Sequence, residues 1–334
     1  MSLEPKSAEI APAPESQSWN RTMPSRKALF LLRKTKLERM AALYLLMIFS
    51  LGLGGVYFIV RQSMPATNSQ PDKELIVDAN EIYPPEGYTI AATYGDLGPQ
   101  LLAAGAIDLP KFIDLYKQSG MPLTDEQLAI LTERSNTPIV INQENASFLL
   151  NFFWAFGLTN QNPILTEGLM VSQGKDRVGN FASTGGWTLG TKAPMDLYAS
   201  TAFVHLTEEQ QAQLLKVAST VYRPCCDNPT HFPDCNHGMA MLGLLELMAS
   251  QNASEAEMYN AAKYINAYWF PQQALEIATH LKATQKVDFA QADAALVVGR
   301  EYSSGSASGR VHQWLVENGL LEQSPNQGGS CKVQ

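Results

Sequence analysis

Apolar positions along the chain first fall in one unbroken block. Residues 40–60, MAALYLLMIFSLGLGGVYFIV, hold no charge, and Arg39 and Arg61 bracket them. At ~1.5 Å of rise per residue, a helix of that length crosses the ~30 Å hydrocarbon layer of a bilayer. Gly52, Gly54 and Gly55 would weaken a helix in water but are tolerated in lipid. The block therefore predicts one transmembrane helix. Beyond it the pattern becomes helical, with clear start signals. Leu109 and Pro110 open a segment that carries Phe112, Ile113, Leu115 and Tyr116 near helical spacing, with Gly120 as its stop. Thr124, Thr207 and Ser254 are each followed three residues later by Gln127, Gln210 or Glu257, the signature of a capping box. Asn145 opens ASFLLNFFWAF, which Gly157 is expected to end, and MAMLGLLELMAS follows from Met239. Both runs are apolar nearly all round, which predicts buried helices. Pro271 begins another helix, and a last one is expected over 310–317. Residues 175–192, rich in Gly, Ser and Thr, read as a long loop or hairpin, and 302–309 as a flexible turn.

These elements define a mainly α protein: a single N-terminal transmembrane helix followed by one all-α extracytoplasmic domain with a Gly-rich loop or hairpin. The expected organisation is a disordered basic cytoplasmic arm over 1–39, a signal anchor over 40–60, a linker over 61–80 and the helical domain over 81–334. Charge sets the orientation. The first 39 residues hold eight Lys/Arg against four Glu, whereas the remaining chain has 16 basic and 28 acidic residues. The positive-inside rule places the basic arm in the cytoplasm and the larger part outside. The basic stretch 26–39 is expected at the inner membrane surface. The net charge of −8 over 334 residues argues against nucleic acid as a partner. The sequence names no protein partner.

Candidate chemistry concentrates in one loop. Residues 222–238 read YRPCCDNPTHFPDCNHG and hold three of the four cysteines and two of the five histidines. The spacing is Cys-Cys-x8-Cys-x-His, and Pro224, Pro229 and Pro233 stiffen the backbone. Cys225, Cys226, Cys235 and His237 are the expected metal ligands, with His231 and Cys331 as alternates. Zinc accepts three thiolates and an imidazole, and copper(I) favours thiolate and thioether, here with Met239 and Met241 close in sequence. Asp227 and Asp234 flank the cluster as candidate partners of the histidines or as capping residues. Asn236 or Asp234 is the expected cap of the helix that follows.

The run PCCDNPTHFPDCNHGMAMLGLLELMASQ, with NFFWAFGLTNQNPIL and GNFASTGGWTLG before it, resembles a group of uncharacterised bacterial membrane-anchored proteins. The resemblance spans roughly residues 85–330 and implies a bacterial origin, with no named activity. A lesser likeness links the Cys loop to lipoproteins with a Pro-Cys-Tyr-Cys-Gly-Cys motif, although this chain lacks a lipidation Cys. Two other readings of the loop stay open. Cysteines outside the cytoplasm usually oxidise, so a disulfide-pinned interaction or scaffold domain is the first alternative. A thiol oxidoreductase is the second, against which the adjacency of Cys225 and Cys226 argues. GGWTLGTK at 185–192 fails as a phosphate loop because Thr precedes Lys. Trp187, set among glycines in that stretch, reads as a plug packed on the domain or as the lining of a pocket.

Overall fold

The computed structural model describes residues 77–321. The basic arm, the apolar block at 40–60, most of the linker and Cys331 lie outside the described residues. Among the described residues no helix is long and apolar enough to cross a membrane.

Nine helices of eight residues or more are described, α1 Leu97–Ala104, α2 Leu109–Gln118, α3 Asp125–Thr132, α4 Ala146–Thr159, α5 Glu208–Thr220, α6 Asn236–Ser250, α7 Glu255–Trp269, α8 Pro271–Gln285 and α9 Gly305–Glu317. The three capping boxes form as the spacing requires. Thr124, Thr207 and Ser254 each accept from the backbone of the residue three positions on, whose side chain bonds back to the cap.

The chain is not purely α. Strand β1, Tyr88–Gly95, pairs antiparallel with β2, Ser135–Ile141. Ile90, Ala92 and Tyr94 alternate inward along β1, and Ile139 and Ile141 do so on β2. This period of two lies in the sequence, but helical periodicity dominates the neighbouring segments. The Gly-rich stretch is neither a hairpin nor one long loop. It folds into a 3-10 helix, Lys175–Asn180, and a short helical turn, Ala182–Gly185, before an irregular segment. The expected turn at 302–309 is helical as well. Ser304 caps α9, accepting from the Ala307 backbone, so the last helix begins five residues before Arg310.

Helices α4 and α6 cross at the centre of the main core. Gly157 does not end α4, which continues to Thr159. It is instead the crossing point, where an added Cβ would overlap the Met239 carbonyl oxygen. Gly243 on α6 is the reciprocal position, against the Phe153 carbonyl and the Gly157 backbone. Backbone-to-backbone approach explains why both helices are buried on nearly every side. A second, smaller core joins α7, α8 and α9 through Tyr264, Ile277, Leu281, Phe289 and Leu315. The Cys-rich loop lies between α5 and α6 and bridges to this second core. The Tyr222 backbone N–H donates to Val298 O, and Asn266 Nδ2 donates to Tyr222 O.

One carboxylate is fully enclosed in the main core. Glu246 on α6 accepts from Asn160 Nδ2 at 3.0 Å, while its other oxygen has no partner. Burial pushes its pKa well above the ordinary value of 4.5. The folded state therefore keeps a proton that the unfolded chain releases, and stability falls as pH rises above that ordinary value. Glu246→Gln should flatten this dependence. Denaturant melts between about pH 5 and about pH 8 should show the parent losing stability relative to the variant, by at most ~1.4 kcal/mol per pH unit. Parallel profiles would contradict a buried neutral acid.

Candidate metal centre

The end of α5 sets one wall of the site. After its last turn the chain folds back on the helix. Thr230 donates from its backbone to Val221 O at 2.8 Å, and His231 donates to Ala218 O at 3.0 Å. This closes the loop and brings Cys225 and Cys226 against the start of α6. Cys235 is the N-cap of that helix, its sulfur accepting from the Gly238 backbone at 3.4 Å. The cap is thus the thiol itself rather than Asn236 or Asp234. A sulfur at a helix N-terminus faces unpaired N–H groups and the positive end of the dipole, both of which favour thiolate.

The three sulfurs form a nearly regular triangle. Cys225 to Cys235 is 3.7 Å, and the other two edges are 3.9 Å. All three are free thiols. These edges far exceed a disulfide bond of ~2.05 Å. They match the ~3.8 Å expected between sulfurs that share one tetrahedral ion at ~2.3 Å. A [4Fe–4S] cluster takes one thiolate per iron and a [2Fe–2S] cluster two, so three mutually adjacent sulfurs suit a single ion. Among the described residues, these cysteines are a group that could hold a metal.

Arg223 completes the centre. Its side chain is fully buried, and Nη2 makes every contact recorded for the guanidinium: Cys226 Sγ at 3.2 Å, Cys235 Sγ at 3.4 Å and Asp234 Oδ1 at 3.4 Å. Nε and Nη1 have no partner. Burial works against the charge, but the sulfurs of Cys235, Cys226 and Cys225 outweigh it and raise the Arg223 pKa above its usual value. Cys235 moves the other way. Hydrogen bonds from Cys225 and Cys226, aided by Arg223, hold it well below the ordinary thiol value, whereas sharing protons with Cys226 and Cys235 pushes Cys225 up. Gly238 makes room for this arrangement, because a Cβ there would lie 2.6 Å from Arg223 Nη2.

The remaining predicted residues fall elsewhere. His237 does not belong to the sulfur group. Its ring packs on Phe270 at 4.5 Å and Trp269 at 5.6 Å between centroids, and burial lowers its pKa to about 4. His231 is also outside the group, its Nδ1 buried without a partner. Met239 and Met241 are fully buried in the core. Asp234 turns to Arg223 and accepts from Asn228 Nδ2 at 2.7 Å, rather than orienting either histidine. Asp227 anchors the loop to α9 by accepting from the backbone and hydroxyl of Ser306. Gly305 reinforces that tie by donating to Cys226 O at 2.8 Å. Sequence reasoning missed Arg223 and Gly238. The available signal was a lone Arg beside the Cys pair and a Gly one turn into the next helix.

The chain matches no protein-family model, no curated protein and no solved structure. The residues alone therefore define the site: three convergent thiols beside a buried cation.

Arg223→Met removes the cation while keeping much of the volume. It should leave helical content near that of the parent and weaken metal retention about tenfold to a hundredfold, the usual worth of charge-assisted hydrogen bonds. Competition with a chelator of known affinity measures it. Unchanged retention would show that Arg223 serves packing alone.

Proposed function

We propose that this protein is a membrane-anchored, extracytoplasmic metal-binding protein that holds one zinc or copper ion through Cys225, Cys226 and Cys235. The observation that carries the reading is the sulfur triangle of 3.7–3.9 Å against the buried Arg223 guanidinium. A buried guanidinium favours negative charge beside it: Asp234 at 3.4 Å supplies one carboxylate, and the sulfurs of Cys226 and Cys235 at 3.2 and 3.4 Å favour thiolate there too. Charge counting favours zinc. Asp234 and Arg223 offset each other, so the buried charge that remains is −1 for Zn²⁺ with three thiolates and −2, harder to bury, for copper(I). A metal also keeps three adjacent thiols from oxidising outside the cytoplasm. The apolar block at 40–60 and the charge asymmetry around it support the anchoring and the orientation. Three protein sulfurs leave a coordination position for solvent, for a donor outside the described residues or for a transferred ligand. That fits sensing or transfer better than a closed structural site.

The test is metal content with a thiol count. Full-length protein, purified without chelator, should carry about one equivalent of zinc or copper per chain. Cys235→Ser should lose it, and His237→Ala should retain it. A parent without metal and without free thiols would overturn the reading in favour of a disulfide-pinned loop. Loss of metal in the His237 variant alone would instead restore the histidine as fourth ligand.

A further inference from the structure

The sulfur triangle carries a chemistry beyond holding an ion. Cys225, Cys226 and Cys235 are each half-buried rather than enclosed, which leaves a path for a small solute. Zn²⁺ neither gives nor takes electrons. A bound thiolate keeps lone pairs on sulfur, and these stay open to a two-electron oxidant even where coordination slows oxidation in air. Every sulfur stands within 3.9 Å of the other two, so an oxidised one has a thiolate beside it that can form a disulfide.

The three sulfurs are not equivalent. Adjacent Cα atoms lie ~3.8 Å apart, short of the ~4.4 Å that a disulfide spans at least, which sets aside the pair Cys225 and Cys226. Cys235 therefore belongs to any disulfide within the triangle, and its partner is decided by what holds the other two. Cys226 is anchored on three sides. Arg223 Nη2 donates to its sulfur at 3.2 Å, its own N–H donates to Arg223 O at 3.2 Å, and its carbonyl accepts from Gly305 N at 2.8 Å. Among the described residues, Cys225 makes hydrogen-bond contacts with the other two sulfurs alone, and its 3.7 Å to Cys235 is the shortest edge. Charge counting agrees with sparing Cys226. Zn²⁺ with three thiolates sums to −1, and a disulfide between Cys225 and Cys235 with a thiolate at Cys226 also sums to −1. The ion can thus leave without changing the charge that the buried Arg223 faces.

We infer that the centre is a redox switch in which a peroxide joins Cys225 to Cys235 and releases the ion, while Cys226 stays with Arg223. One of the two sulfurs attacks the peroxide. An S–O bond forms, the O–O bond breaks, and hydroxide leaves behind a sulfenic acid. The other thiolate then attacks that sulfur, forms the S–S bond and displaces a second hydroxide. Two thiolates lose two electrons, the peroxide gains them, and two protons from solvent complete two waters. Cys226 alone then faces the ion, too few ligands to retain it. The inference rests on the zinc reading above and gives that site its trigger and its product: a peroxide in, zinc out.

Full-length protein can be loaded with zinc under reducing conditions, freed of reductant and treated with hydrogen peroxide while a weak chromogenic chelator reports free zinc. About one equivalent of peroxide should release about one zinc per chain and consume about two of the four thiols. Peptide mass mapping should join Cys225 to Cys235 and find Cys226 and Cys331 as thiols. Circular dichroism should stay unchanged, and dithiothreitol with zinc should restore the loaded state. In Arg223→Met, loaded with excess zinc, Cys226 loses its anchor, and the disulfide to Cys235 should divide between Cys225 and Cys226. Four results would overturn the inference: zinc retained at about ten equivalents of peroxide; release with every thiol intact; a parent disulfide that contains Cys226; or the same undivided disulfide in Arg223→Met. A chain that takes up no zinc under reducing conditions would overturn the metal reading and this inference together, whereas one that holds zinc through peroxide overturns only the switch.

Discussion

A single buried cation organises the functional end of this molecule. Arg223 is fully enclosed, and one of its nitrogens makes the contacts to two sulfurs and one carboxylate oxygen. A guanidinium in such a place requires negative charge close by. Asp234 provides part of it at 3.4 Å, and desolvation raises the pKa of that carboxyl. The thiols are the remaining source. The same demand explains Gly238, where any side chain would press on Arg223, and the use of Cys235 rather than a hydroxyl or carboxylate residue as the cap of α6.

The rest of the fold holds this arrangement in place. Helix α6 carries Cys235 at its start and then runs through the centre of the core, where Gly157 and Gly243 let it lie against α4 at backbone distance. The position of the N-cap sulfur is thus set by a helix crossing at backbone distance. The other two sulfurs come from a loop tied to α5, to Asn266 on α7 and to the first turn of α9. Elements of both cores therefore fix the triangle, as a preorganised site requires.

Much of this was legible in the sequence, for physical reasons that differ by element. The three capping boxes and the all-round apolar runs were readable because each rests on local chemistry. Cys225, Cys226 and Cys235 were readable as a group because the loop is short enough to bring them together. What the sequence hid depends on partners distant in the chain. Gly157 reads as a helix stop until the backbone it touches, Met239 and Gly243, is known. The alternating burial of β1 becomes visible only with β2 more than forty residues away. His237 reads as a ligand from its spacing to Cys235, yet the turn of α6 carries its ring to Trp269 and Phe270. Ser304, unremarkable in a Gly- and Ser-rich stretch, turns a flexible-looking segment into the start of α9.

Everything proposed for the site requires that three thiolates share one ion. X-ray absorption at the metal edge of the full-length protein tests it most directly. A first shell of three sulfur neighbours at about 2.3 Å and no metal–metal scattering are expected. A first shell of nitrogen and oxygen alone, or a metal–metal distance typical of a cluster, would contradict it.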